Sequence, residues 1–372
     1  LLREMVIRVC IITIIFVILL IIVTCFLLKS IRRLRNGVAR LAQGEWDTKV
    51  NIGHRNDEVG DLAEGFNRMS DYILTYISEI VSLNRGYHRF VPEQFLRYLD
   101  KESVTQAQLG DQVQKVMTVM FSDIRSFTSL SEKMSPKDNF DFLNSYLSNV
   151  GPVIRDNNGF IDKYIGDAIM ALFPHSAEDA LNAALGMFEK LEEYNGYRRK
   201  SGYDPIAIGL GLHTGPLMLG IIGEHERMEG TVISDNVNFA SRLEGLTKHY
   251  GASLLISEST YVSLSNPDRF LVRTLGKVRV KGKAEPTTIY EVLDPLPPEK
   301  KTMRIKTRDV FEKGILLYQQ RRFAEAMEKF AKILAVDKND KAVIFYNSIA
   351  AELKDAQIDE ARWDGTVEMH EK

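Results

Sequence analysis

Two aspartates in this chain stand where a strand gives way to a turn, and both could do chemistry. Phe121-Ser122-Asp123-Ile124-Arg125-Ser126-Phe127-Thr128 puts one at the end of an apolar run, before a short polar turn whose N–H groups can face a phosphate. Ile161-Asp162-Lys163-Tyr164-Ile165-Gly166-Asp167-Ala168 reads as two strands joined by a tight turn, with the other aspartate beside the glycine. Either one alone is an ordinary turn residue or cap. Together, Asp123 and Asp167 offer hard oxygen ligands at adjacent strand ends, a set that suits Mg²⁺ or Mn²⁺ held partly by a substrate's own phosphates. Two such cations, about 3.5–4 Å apart, can activate an attacking oxygen and neutralise a leaving one.

A third element is Thr231-Val232-Ile233-Ser234-Asp235-Asn236-Val237-Asn238-Phe239-Ala240-Ser241-Arg242-Leu243-Glu244. A helix beginning near Ser234 or Asp235 puts Asn238 and Arg242 at i and i+4, on one face. A guanidinium so placed can stabilise charge on a phosphoryl group in flight, although a surface arginine on an amphipathic helix has the same spacing. Val280-Lys281-Gly282-Lys283 sets two cations around a glycine, which fits a clamp for terminal phosphates or a basic turn. His213, before Thr214-Gly215-Pro216, matches no general-base motif and reads as structural.

Positioning these residues takes strands alternating with helices from Val113 to about Leu293, an α/β or α+β layout. The pattern predicts strands over 115–122, 159–165, 168–173, 206–213, 217–222 and 270–280. Pro295-Leu296-Pro297-Pro298 and the charged residues after it predict a linker over 295–307. Residues 308–372 then read as a helical extension with a polar tail. Gly314, Ala326 and Phe330 fall at tetratricopeptide spacing, with Leu317 at an aromatic position and Lys338 where proline is usual. A helical pair packed on the catalytic domain fits equally well, and the extension is a candidate docking element for a protein partner.

The 48 basic and 50 acidic side chains leave no overall positive field, so composition gives no support to nucleic-acid binding. Both cysteines, Cys10 and Cys25, fall in one apolar run, which excludes a disulfide framework. That run, Val9 to Leu28, is uncharged and matches the roughly 20 residues a helix needs to cross a bilayer. A signal peptide would have a shorter apolar core and a small-residue cleavage site, and Phe26-Leu27-Leu28-Lys29 offers none. Residues 1–29 are therefore expected to anchor the chain in the cell membrane. Lys29, Arg32, Arg33 and Arg35, against Arg3 and Arg8, place the residues beyond Leu28 in the cytoplasm. The start at Leu1 suggests a fragment that lacks an N-terminal sensory part.

Between the apolar run and the strands, residues 30–80 show two amphipathic stretches around a linker that carries Val50 and Ile52. The second opens at Asp57-Glu58-Val59-Gly60 and sets Leu62, Phe66 and Met69 at helical spacing. This segment resembles a HAMP signal-relay domain, a parallel four-helix bundle made by two chains, which implies a homodimer. Residues 81–112 read as a helical connector.

The Phe-Ser-Asp-Ile, Lys-Tyr-Ile-Gly-Asp and Val-Asn-Phe-Ala-Ser-Arg-Leu-Glu segments resemble class III nucleotide cyclases in order and spacing, over about 113–294. The resemblance implies an α+β, ferredoxin-like or palm-type domain with a mixed, mainly antiparallel sheet. It makes Asp123, Asp167 and the Ile124 carbonyl the ligands of two divalent cations. Lys163 and Thr231 become the pair that reads the base, Asn238 and Arg242 the transition-state residues, and Lys281 the triphosphate contact. Lys163 and Thr231 stand where guanylate cyclases tend to have Glu and Cys, so ATP is the implied substrate. The metal-bearing side of each site is expected from one protomer and the arginine side from the other. A guanylate cyclase and a catalytically silent signalling dimer are the alternatives, and the Gly-Gly-Asp/Glu-Glu-Phe loop of diguanylate cyclases is absent from the sequence.

Overall fold

The computed structural model describes residues 2–53, 55–87, 90, 92–280, 285–354 and 363–369. They form two compact units, Leu1–Phe90 and Val91–Lys372. The first is built on two helices, α1 (Leu2–Ala42) and α2 (Glu58–Tyr87). Along the exposed N-terminal part of α1 runs an apolar stretch long enough, by length and composition, to cross a membrane. Its C-terminal part buries Ser30, Leu34, Gly37 and Leu41, which recur every three or four residues and so share one face.

That face meets Val50, Ala63 and Phe66 in a small core. The connector is pinned to α2 by its backbone: Val50 donates its N–H to Asn67 Oδ1 at 2.8 Å, and Asn67 Nδ2 donates to the Val50 carbonyl at 3.0 Å. Asp57 caps α2 by accepting from the Gly60 N–H at 3.0 Å. A Cβ on Gly60 would overlap the Arg55 carbonyl, so the Asp-Glu-Val-Gly sequence is a cap followed by a required close approach. Leu62 and Met69, at helical spacing with the buried Phe66, are exposed. They open a 3-4 apolar repeat, Leu62, Phe66, Met69, Ile73, Tyr76, Ile80, Leu83 and Tyr87, that runs the length of α2.

In the second unit, α3 (Glu93–Tyr98) precedes β1 (Gln112–Ile124), α4 (Phe127–Ser131), α5 (Pro136–Asp156), β2 (Phe160–Ile165) and β3 (Ala168–Phe173). Then come α6 (Ala177–Lys200), β4 (Ile208–Gly223), β5 (Met228–Ile233), α7 (Asp235–Tyr250), β6 (Leu254–Ser257), α8 (Glu258–Val262), β7 (Val272–Val280) and β8 (Thr287–Val292). The chain finishes with α9 (Pro298–Gln319), α10 (Phe323–Leu334), α11 (Lys341–Lys354) and a short β9 (Val367–Met369). Among the described residues the strands make one mixed sheet, ordered β2-β3-β1-β4-β6-β8-β7-β9, with β5 paired to β4. Only β4–β6 and β7–β9 of its pairs are parallel.

Alternation along β1 shows how the sheet is covered on both sides. Met120 and Ile124 enter the core made with α5 and α6, while Met117, Val119 and Phe121 enter the opposite one, which includes Phe95 and Ala240. The second face also carries α7 and the helices α9 to α11 in a single apolar cluster.

Several expectations are corrected here. The strands expected over 206–213 and 217–222 are one long strand, β4, which starts at Ile208 and continues because Gly215 and Pro216 stay in register with Met117 and Val116 of β1. The expected linker over 295–307 is helical from Pro298, where proline suits the first turn of α9. The polar tail contributes β9, which pairs with β7. Strands β5, β6 and β8 lie outside the predicted set, being short and flanked by loop-like sequence.

The C-terminal helices are fixed to the sheet by a buried ionic network. Arg273 of β7 donates to Glu291 Oε2 at 2.6 Å and to Asp340 Oδ2 at 2.7 Å, and Asp340 also pairs with the buried Arg304 of α9. The Arg273 guanidinium lies over the Phe311 ring, 4.4 Å from its centroid. Asp340→Ala would leave two buried guanidiniums short of a carboxylate and should destabilise the helical layer by about 3–5 kcal/mol. Emission from Trp363, packed on Tyr318 and Phe323, checks this in a Trp46→Phe background during urea unfolding; a midpoint equal to the parent's would refute it.

Candidate active site

The two candidate aspartates gather at one end of β1. Asp123 is its penultimate residue, and Asp167 sits in the β2–β3 turn, where Gly166 takes a φ of 65°. Because β3 pairs antiparallel with β1, with Ser122 opposite Ile169, the turn returns Asp167 to the end of β1. The Asp167 carboxyl accepts from the Ile124 N–H at 3.2 Å. Burial, reinforced by hydrogen bonding to the neighbouring Asp123 carboxylate, pushes its pKa up to about 6. Two carboxylates held together at this cost are a suitable donor set for a hard divalent cation, which takes one or two protein carboxylates and fills its remaining sites from phosphate and water. Ile124, whose carbonyl is expected to assist, has its side chain in the core.

A second pair meets on the other strands. Lys163 Nζ lies 3.5 Å from Thr231 Oγ1 and 3.4 Å from Glu229 Oε1, bringing β2 and β5 residues together. A register shift between Ile161 and Lys163 re-aims this part of β2. Asp162, almost fully buried, stands 3.6 Å from the same ammonium.

Asn238 and Arg242 lie on α7, whose start is fixed by Ser234. Its hydroxyl accepts from the Asn236 N–H at 3.1 Å and donates to the Pro216 carbonyl at 2.9 Å, so Ser234 caps the helix. Asn238 is exposed and Arg242 half-buried, and among the described residues neither side chain makes a hydrogen bond or ion pair within the protomer. His213 is structural, as expected: its ring bridges Ser257 Oγ at 2.8 Å and Asn236 Oδ1 at 3.0 Å. Lys281 falls outside the described residues.

Sequence reasoning passes over the charged groups between α7 and the end of β1. Arg125 donates to Thr247 and to the Ala252 carbonyl, and stands 3.6 Å from Glu244. Burial and the Asp123 charge push Glu244 up to about 7. Lys248 pairs with Asp123 at 3.0 Å. A signal for this packing is legible in Gly209-Leu210-Gly211-Leu212, since glycine at period two leaves one strand face bare. A Cβ on Gly211 would overlap the Glu244 N and come to 2.7 Å of the Ala240 carbonyl, so α7 lies backbone-to-backbone on β4.

Residues 110–293 match the adenylate and guanylate cyclase catalytic domain, and residues 26–75 match the HAMP domain. The chain is also 33% identical to the solved adenylyl cyclase CyaB of P. aeruginosa, covering 49% of this chain and 95% of that one, with a TM-score of 0.43. The chain belongs to the adenylate and guanylate cyclase family. It is 42% identical to an adenylate cyclase of Anabaena cylindrica over 70% of its own length and 53% of that protein's, so it spans about half of this curated relative. A bacterial light-regulated adenylyl cyclase shares the fold at 23% identity, with a TM-score of 0.54 over 64% of this chain and 69% of that one.

The glycine-floored seat of α7 in this cyclase domain makes a direct prediction. Gly211→Ala should cost about 1–3 kcal/mol through overpacking against the α7 backbone. Thermal unfolding of the variant, compared with Gly245→Ala at an open position of α7, checks it; equal stability of the two would refute the close-packing account.

Proposed function

We propose that this chain is a membrane-anchored adenylate cyclase that converts ATP to 3′,5′-cyclic AMP and pyrophosphate at sites shared by two copies of itself. The observation that carries the reading is the approach of Lys163 to Thr231, within 3.5 Å, in a domain whose two aspartates are also side by side. Adenine presents an amino donor beside ring-nitrogen acceptors. Lys163 can only donate and Thr231 can accept, so the pair complements it. Guanine would call for a carboxylate here.

Bound divalent cations at Asp123 and Asp167 would supply charge neutralisation and activation of the ribose 3′-hydroxyl. The remaining work falls to side chains. Arg242 faces the negative charge that builds as the 3′-oxygen attacks the α-phosphorus, Asn238 one turn away orients the ribose and phosphate, and Lys281 holds the departing pyrophosphate. His213 is committed to Ser257 and Asn236, so the hydroxyl proton passes to Asp123 or to water.

Sharing of the site is supported by what the protomer leaves unsatisfied. Asn238 and Arg242 have no side-chain partner within the described residues. Tyr164, Ile165, Met228 and Ile233, on the strands that carry Lys163 and Thr231, are exposed apolar side chains. In α2, Leu62, Met69, Tyr76 and Leu83 are exposed at intervals of seven, the spacing of a coiled-coil seam that a second α2 would cover. Membrane attachment rests on the exposed apolar stretch of α1 and the basic residues that come after it.

Incubating the purified protein with ATP or GTP and Mn²⁺ should yield cyclic AMP; cyclic GMP as the sole product would overturn the base assignment. Asp123→Ala and Arg242→Ala should each abolish turnover, and a mixture of the two chains should recover activity, because the heterodimer keeps one complete site. Failure to complement, with heterodimers present by crosslinking, would refute the shared site.

Coupling to the membrane side should run through the α2 repeat. One residue inserted beside Leu83 turns everything downstream by about 100°, whereas seven nearly restore the seam. A misplacement of about 1 Å can cost roughly 100-fold in rate. The single insertion should therefore change cyclic AMP production strongly and the seven-residue insertion much less. Unchanged production in both would make this segment a passive tether.

A further inference from the structure

Lys248 stands apart from the residues with assigned roles. It lies six positions after Arg242 on α7, about 240° further round the helix at 3.6 residues per turn. Whatever surface Arg242 addresses, Lys248 addresses another. Its ammonium is 3.0 Å from Asp123 Oδ2, and the Lys248 side chain is 52% exposed against 22% for Asp123. Asp167 is within hydrogen-bonding reach of the same aspartate. Arg125 also feels the Asp123 charge but is engaged by Thr247, the Ala252 carbonyl and Glu244. Among the described residues, the cation in ion-pair contact with Asp123 is Lys248.

We propose that Lys248 is a tethered counter-ion for Asp123 that a divalent cation must displace, so that this lysine sets the affinity of the nucleotide-free site for metal. The inference rests on Asp123 and Asp167 as metal ligands. An ammonium and a divalent cation repel each other and compete for the same carboxylate oxygen. The lysine can yield: it is a compact charge on a flexible stem, and its half-exposed position leaves a path into solvent. Metal binding must break an ion pair of this exposed kind, which corresponds to about a two- to fivefold weakening of affinity. Arg125, anchored by several hydrogen bonds, cannot leave in the same way.

The test is direct Mn²⁺ binding to the full chain in detergent, without nucleotide, monitored by the electron paramagnetic resonance of free Mn²⁺. Lys248→Met, which keeps the apolar stem, should tighten Mn²⁺ binding about two- to fivefold. Lys248→Arg, which keeps the charge, should stay near the parent, and Lys248→Gln should behave as Lys248→Met does. The gain should vanish when Asp123→Asn is added. An Asp123-dependent site whose affinity is indifferent to Lys248→Met and Lys248→Gln overturns this inference alone. The absence of any Asp123-dependent Mn²⁺ binding overturns it together with the metal-ligand reading, and an equal gain in the Asp123→Asn background shows that Lys248 acts by general charge and also overturns it.

Discussion

Helix α7 lies against β4 with almost no side chain between the two backbones, and the seating of Asn238, Arg242, Glu244 and Lys248 depends on that contact. Gly209 and Gly211 supply the floor, since a Cβ at either position would strike Arg125 or Thr247 in one case and the Glu244 N in the other. At this separation short side chains suffice to connect the helix to its surroundings. Ser234 and Asn236 reach Pro216, His213 joins Asn236 to Ser257, and Thr247 reaches Arg125. A larger residue in the floor would lift the helix and break these links together. Interiors packed to crystal-like density convert a local volume change into a displacement of whole elements.

The same geometry explains where charge is tolerated. Asp123, Asp167, Glu244, Arg125 and Lys248 crowd the end of β1 although burial raises the pKa of Asp167 and Glu244. A folded carboxyl whose pKa lies above its unfolded value stabilises the fold at low pH, and that contribution is lost as the pH rises through the folded value. For Glu244 the loss spans roughly pH 4.5 to 7, so the group opposes stability at neutral pH. The opposite end of the sheet is different. There Arg273, Glu291, Asp340 and Arg304 pair almost completely out of water, and the network locks α9 to α11 onto β7 and β8.

The sequence disclosed the chemistry more fully than the architecture. Asp123 and Asp167 are legible as candidates because strand ends and turn positions constrain residue type locally, whereas Lys163 and Thr231 stand out only through the resemblance to class III cyclases. The return of Asp167 to Asp123 by β3–β1 pairing, and the approach of Lys163 on β2 to Thr231 on β5, are long-range contacts that no local pattern encodes. The Gly215-Pro216 pair reads as a break, yet β4 continues through it, because pairing with β1 overrides the local preference. Pro298 likewise reads as linker and proves to be the first turn of a helix. Periodicity alone does not separate Leu62 and Met69, which are exposed, from Phe66, which is buried in the same repeat. Lys248 is invisible in the sequence for a related reason: a lysine near a helix C-terminus is ordinary until the fold delivers an aspartate to it.

One helix in this protomer therefore borders two different chemical environments. Its first turns present Asn238 and Arg242 without partners among the described residues, and its last turns touch Asp123 and Arg125 of the same chain. Under the sharing proposed above, these two ends would belong to different composite sites, with carboxylates from one copy and the arginine from the other. An α-helix of this length is stiff on the scale of a hydrogen bond, and α7 is clamped along its middle by the β4 glycines. Arg242 and the Lys248 that reaches Asp123 are thereby carried by one clamped element.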